Sequence, residues 1–242
     1  MGSHALLKRA PIASSLGTVV SFSKYTTFIK FDTLLYRLGS GQSCFFSPLF
    51  NMKMSKMLVH NSSLTGMFLI EPQRFRDHRG FFAETYSKRG YAELGVNATF
   101  VQDNHSVSAA AGTVRGLHFQ APPHAQAKLV RCGRGAIFDV AVDIRRGSPT
   151  FGRWAGYTLS AENGAQLYIP VGFAHGFATL EPDCEIIYKC SDYYTPETEG
   201  SLRWDDPNIG IDWPLTSAPV LSEKDAAASL LADFNSPFTF EG

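Results

Sequence analysis

From residue 67 onward the chain is a succession of short apolar runs cut by turn residues. Residues 67–70 (MFLI) form the first run, which stops before Pro72. Residues 80–86 form the second, and residues 87–94 predict a short helix. Three more strands are predicted, one starting at Thr99 and two covering 113–120 and 126–132. Residues 136–144 alternate cleanly, with Phe138, Val140, Val142 and Ile144 on one face and Asp139 and Asp143 on the other. A turn at 147–149 (GSP) leads to strand patterns at 154–160, 166–169, 175–180 and 185–190. Near the C-terminus, Ser222 precedes Glu-Lys-Asp and then an Ala-Leu run, the form of an N-cap and the helix it starts. Short strands separated by Gly and Pro predict an all-β fold: a sandwich or double-sheet jelly roll with short peripheral helices.

Residues 1–56 break this pattern, being basic, rich in Ser and without alternation. That composition suits an organellar transit peptide, a stretch translated from an upstream start with Met54, Met57 or Met67 as initiator, or a disordered tail. One working domain over residues 57–242 is therefore expected, preceded by an extension that takes no part in it. The whole chain has a formal net charge of zero. Setting aside the seven basic residues and one acidic residue (Asp32) of the extension leaves 15 basic and 21 acidic, a formal charge of −6. A net-acidic domain without a basic stripe is poorly suited to nucleic acid. An anionic ligand must then be held by a few local Arg and Lys side chains. No run of 18 apolar residues occurs, so no membrane-spanning helix is expected. Cys44, Cys132, Cys184 and Cys190 show neither C-x-x-C nor metal-ligand spacing, and read as free thiols of a reducing, cytoplasmic compartment.

The candidate chemistry starts at residues 115–120 (RGLHFQ). Strand parity puts Gly116, His118 and Gln120 on one face, and after Pro122-Pro123 it puts Gln126, Lys128 and Val130 on another. A hairpin with these faces turned inward brings Lys128 close to His118. An inward lysine is costly unless it meets a partner or an anionic ligand, so the pair marks a site more than a packing position. Alone, His118 would read as an inert strand histidine. Arg115 is an odd number of residues from His118, which sends it to the opposite face. A bulge at Gly116 would re-aim it; otherwise Arg115 serves a neighbouring subunit. Jelly rolls often hold a metal through H-x-H, but here the second position is Gln120, and His105, His124 and His175 are scattered. Neither G-x-G-x-x-G nor G-x-x-x-x-G-K occurs, which excludes the common nucleotide-binding loops. Tyr188 and Tyr194 read equally well as rim aromatics, Asp225 as a helix cap, and His175 as a core residue.

Several segments together resemble the dTDP-4-dehydrorhamnose 3,5-epimerase family. They are residues 75–84 (FRDHRGFFAE), 100–106 (FVQDNHS), 115–120, 125–130 (AQAKLV), 143–152 (DIRRGSPTFG) and 170–177 (PVGFAHGF). Tyr188-Lys189, residues 204–207 (WDDP), 211–214 (IDWP) and 221–225 (LSEKD) complete the set, in order and at consistent spacing. The resemblance implies a cupin-like jelly roll, a homodimer that exchanges strands, and action on a dTDP-4-keto-6-deoxyhexose without metal or dinucleotide. It further implies that His118 is the base, Asp225 its paired carboxylate, Tyr188 the acid on the other face of the sugar, and Lys128 the residue near the sugar oxygen. Arg79, Glu84, Gln102, Asn104, Arg115, His175, Glu199 and Lys224 match ligand-contacting positions, with Phe82 suited to stacking on thymine. The hydrogens at C3 and C5 are both α to the C4 ketone, so removing either gives an enolate. Such a carbon acid is far weaker than an imidazolium, so a base needs help from an oxyanion stabiliser such as Lys128. A relative inverting only C3 or only C5 is the nearest rival, and retention of both Tyr188 and Tyr194 favours the double epimerase. A non-catalytic sugar-binding jelly roll is the rival from another class; it would not need His118, Lys128, Asp225 and Tyr188 together.

Overall fold

Two antiparallel sheets face each other across an apolar layer in the computed structural model, which describes residues 57–241. The expected extension, residues 1–56, lies outside the described residues. The first sheet has six strands: β1 (Met57–Asn61), β2 (Phe68–Pro72), β5 (Gln102–Ser108), β7 (Lys128–Arg134), β10 (Gln166–Ile169) and β12 (Cys184–Cys190). Their spatial order is β1-β2-β10-β7-β12-β5. The second has five: β6 (Val114–Gln120), β8 (Ala136–Asp143), β9 (Trp154–Ser160), β11 (Phe173–Thr179) and β13 (Glu199–Ser201), in the order β13-β6-β11-β8-β9. A separate hairpin pairs β3 (Arg74–Asp77) with β4 (Gly80–Ala83). This is the expected double-sheet jelly roll, with short helices α1 (Lys88–Glu93) and α2 (Glu223–Ala226) at its periphery.

The central core joins Val130, Leu167 and Ile186 of one sheet to Ile137, Leu159 and Phe177 of the other. Alternation on β8 has an unusual consequence. Its apolar face, Phe138, Val140 and Val142, points away from this core and is covered by Leu202, Trp213 and Phe238 of the C-terminal segment. The other face carries Asp139 and Asp143, both fully buried. Asp143 is satisfied by Arg145 at 2.7 Å, Ser148 at 2.6 Å and Thr150 at 2.7 Å, which removes the penalty for burying it.

Two expectations need correction. β6 and β7 do not form a hairpin: they lie in different sheets, so the Pro122-Pro123 loop carries the chain from one sheet to the other. Lys128 therefore approaches His118 across the interior. The C-terminal helix is one turn long, because the Ala-Leu run is taken over by other partners. Ser229 bridges Leu202, and the Leu231 N–H donates to the Asp206 carboxylate.

β6 is irregular where the site begins. His118 pairs with His175 while Arg115 pairs with Phe177, so three steps on β6 match two on β11. This is the bulge foreseen at Gly116, whose φ is 122°. A Cβ there would lie 2.6 Å from Gly176 Cα and 2.7 Å from the His175 oxygen. Gly116→Ala should cost about 1–3 kcal/mol from backbone conformation alone, with overlap adding to it. Urea unfolding measures this; a wild-type midpoint would show that the bulge tolerates a side chain.

Candidate active site

Side chains from both sheets converge on one cleft. β6 presents His118 inward, and the facing strands β7 and β12 present Lys128 and Tyr188. Cys190 pairs with Lys128 across the β7–β12 ladder, and Tyr188 stands two positions before it, so Lys128 and Tyr188 are diagonal neighbours on one face. His118, Lys128 and Tyr188 line two adjoining cavities. One of about 260 Å³ adds Gln102, Asn104, Tyr194 and Glu199. The other, of about 440 Å³, adds Arg115, His175, Lys224 and Asp225. The Gly116 bulge explains why Arg115 and His118, an odd number apart, share a cavity.

Asp225 reaches His118 from the C-terminal segment. Its Oδ1 lies 2.6 Å from His118 Nε2. The cap of α2 is made by the Ser222 hydroxyl, which accepts from the Asp225 N–H at 3.1 Å, and this leaves the Asp225 side chain to the imidazole. Burial would raise the Asp225 carboxyl. The hydrogen bond and charge of His118, with help from Ser222 and the Gly116 amide, more than reverse this, so it lies below the usual carboxylate range. An ionised Asp225 can only accept, so the Nε2 that faces it donates, and in the neutral ring this leaves Nδ1 as the acceptor.

The remaining groups are tuned mainly by burial. Burial pushes the Tyr188 phenol up, against the pull of Arg115 and Asn104, and keeps it protonated at neutral pH. Burial pulls the Lys128 ammonium below the usual lysine value, opposed by negative groups that include Asp139 and Glu199. Burial also lowers His175, although Asp139 sits 2.8 Å from its Nε2 and works the other way. At the rim, Lys224 lies 2.6 Å from Glu199, which also accepts from the Tyr194 hydroxyl at 2.9 Å.

Comparison with known proteins agrees with this geometry. The family model for dTDP-4-dehydrorhamnose 3,5-epimerase matches residues 61–233. The chain belongs to that family. The dTDP-4-dehydrorhamnose 3,5-epimerase of Salmonella typhimurium is 54% identical over 176 residues, 72% of this chain and 96% of that protein. A dTDP-6-deoxy-D-glucose-3,5-epimerase from Legionella pneumophila, solved in complex with dTDP-4-keto-L-rhamnose, superposes with a TM-score of 0.72 at 49% identity, covering 74% of this chain and 95% of that one. A 3′-monoepimerase from Streptomyces bikiniensis, solved in complex with dTDP-quinovose, gives a TM-score of 0.68 at 38% identity, with coverage of 72% and 87%.

Of the residues that the family resemblance singles out, the cleft gathers His118, Lys128, Tyr188, Asp225, Gln102, Asn104, Arg115, His175, Tyr194, Glu199 and Lys224. It does not gather Arg79, Phe82 or Glu84, which lie on or beside the β3–β4 hairpin and line neither cavity. Phe82 is 69% exposed, and the Arg79 side chain is 78% exposed and paired with Asp77 at 2.6 Å. Asp139 was missed, although a signal existed: an aspartate at an inward position of an otherwise apolar strand needs a partner. That partner is His175, so His175 is neither an ordinary core residue nor a free one. Among the described residues no group of three or more His, Cys, Asp or Glu is placed to hold a metal.

The lowered Lys128 value carries a stability consequence. The unfolded chain binds that proton more tightly than the folded one, so the half-buried ammonium costs stability at neutral pH. Lys128→Met should raise the melting temperature at pH 7, and the gain should shrink as pH climbs toward the ordinary lysine range. A lower melting temperature would mean that the packing of the lysine stem outweighs the desolvation of its charge.

Proposed function

We propose that this family member inverts C3 and C5 of dTDP-4-dehydro-6-deoxy-D-glucose through enolate intermediates, giving dTDP-4-dehydro-L-rhamnose in dTDP-rhamnose biosynthesis. The observation that carries this reading is the split of a base and an acid between facing sheets. His118 with Asp225 stands on one side of the cleft and Tyr188 on the other, with Lys128 beside Tyr188. Inversion at a carbon requires removal of a proton from one face and its return to the opposite face. His118 Nδ1 takes the proton, and the imidazolium formed is stabilised by the Asp225 carboxylate. Negative charge moves from the C–H bond to O4, where the Lys128 ammonium stabilises it by about 3 kcal/mol. The Tyr188 phenol gives its proton to the other face. Solvent then reloads Tyr188 and unloads His118, and the cycle repeats at the second carbon. No step draws on a metal or a dinucleotide.

Incubation with dTDP-4-keto-6-deoxyglucose in deuterated water, followed by NMR, should place deuterium at both C3 and C5. His118→Ala should abolish both exchanges while changing dTDP-sugar affinity by no more than about threefold. Deuterium at a single carbon would assign the activity of the monoepimerase relatives instead. Tight binding without exchange would reduce the protein to a sugar-nucleotide binding module.

The second half of the reading is a strand-exchanging homodimer. Among the described residues the six-stranded sheet ends in two edge strands, β1 and β5, where Leu58 is 65% and Val107 55% exposed. Edge strands invite strand addition from a second copy. The exposed Arg79, Phe82 and Glu84 then serve a copy's cleft, Arg79 on the diphosphate and Phe82 on thymine. Arg79→Ala and His118→Ala proteins, each inactive alone, should recover activity when co-expressed, approaching about a quarter of wild-type sites in a statistical mixture. Absence of recovery would confine Arg79 to its own chain. No described helix is long and apolar enough to cross a membrane. The unpaired Cys132, Cys184 and Cys190 suit the cytoplasm.

A further inference from the structure

Two residues beyond His118, where a metal-binding jelly roll would carry another histidine, stands Gln120. It is only 4% exposed yet lines the smaller cavity. Its amide nitrogen donates to the carbonyls of His124 and Tyr193, the latter at 2.8 Å. Its amide oxygen accepts from the Thr195 N–H at 2.9 Å. Two carbonyls on one side and an N–H on the other fix the orientation of the amide.

The segment so held carries Tyr194 at the cavity mouth. The Tyr194 N–H donates to Gln102 at 3.0 Å, and its hydroxyl donates to Glu199 at 2.9 Å. Glu199 is itself placed by the β6–β13 ladder, directly opposite Gln120, with the Ala121 N–H donating to the Thr198 carbonyl at 2.8 Å. Gln120 thus anchors both members of the Tyr194–Glu199 pair, one through its side chain and one through its main chain. Gln126 adds a second tie, donating to the Asp192 carbonyl at 2.8 Å.

We propose that Gln120 is a positioning residue for substrate affinity: it ties residues 193–195 to β6 and so holds Tyr194 over the smaller cavity. This rests on the functional reading above. His118, Lys128 and Tyr188 are anchored through Asp225 and the β-ladders, not through the Gln120 amide, so its loss falls on binding more than on proton transfer.

Gln120→Leu keeps the volume and removes the three hydrogen bonds that the amide makes to the backbone. It should raise KM for dTDP-4-keto-6-deoxyglucose about tenfold or more while lowering kcat by no more than about threefold. Adding Tyr194→Ala should change KM by less than about twofold further, because the two residues act as one unit. A loss in kcat at constant KM, or two effects that simply multiply, would overturn the proposal. Should the variant not fold, amide exchange in the wild-type protein decides: a strongly protected Thr195 N–H supports the clamp, and exchange at the rate of an exposed amide overturns it. Should the wild-type protein not turn over, the functional reading fails on its own. Calorimetry with dTDP then judges the clamp, about tenfold weaker binding by Gln120→Leu supporting it and equal affinity overturning it.

Discussion

A hydrogen bond spanning 107 positions of sequence, from Asp225 to His118, ties the end of the chain to the strand at the centre of the cleft. It does two physical jobs. Electrostatically, it places a carboxylate against the imidazole, selects the tautomer with Nε2 protonated, and leaves Nδ1 free. Mechanically, it pins the C-terminal segment to β6 part-way along its course. That segment runs over the outer face of the five-stranded sheet and covers Val140, Val142 and Phe138. Cover and His118 partner are therefore the same piece of chain: the segment that buries the outward apolar face of β8 also delivers Asp225.

The price of such a cleft is polarity in the interior. Lys128, His175 and Asp139 lie within or beside it, and burial drives Lys128 and His175 toward their neutral forms. Asp139 spends one oxygen on His175 and leaves its Oδ2 without a hydrogen-bond partner among the described residues. Such groups destabilise a fold unless a ligand or a reaction uses their charge. Asp143, four residues along the same strand, shows the alternative arrangement, with every oxygen engaged by Arg145, Ser148 and Thr150. One strand thus carries a buried carboxylate that is fully satisfied and, beside His175, another that is not.

Local pattern reaches only part of this. Strands 154–160 and 166–169 read directly from the sequence because alternation and flanking turns agree there. The approach of Lys128 to His118 is also legible, but the route is not. A short loop containing Pro122-Pro123 serves a hairpin or a crossing between sheets equally well, and only the packing of the whole barrel chooses. Parity misplaces Arg115, because one bulge at Gly116 shifts everything before it by one residue. The Ala-Leu run after Asp225 has helical propensity, yet Ser229 and Leu231 find better partners in residues 202–206. Asp225 as the partner of His118 lies beyond spacing arguments altogether, and the family resemblance alone pointed to it. Arg79, Phe82 and Glu84 are the limiting case: a single chain does not bring them to its own cleft.

Inversion at two carbons by one set of groups sets a last geometric demand. C3 and C5 flank the carbonyl carbon C4, so both are the same number of bonds from O4. In the proposed mechanism Lys128 holds O4, the atom common to both enolates, and becomes the pivot of the reaction. The base and the acid need not move, since they face each other from two rigid sheets. What must turn is the sugar ring about its anchored oxygen, presenting first one carbon and then the other to His118. A relative that inverts a single carbon can therefore keep the same His, Lys and Tyr and differ only in how far the ring turns. The outcome is then governed by the contacts that hold the nucleotide end, which in the proposed reading include the rim built from Tyr194, Glu199 and Lys224.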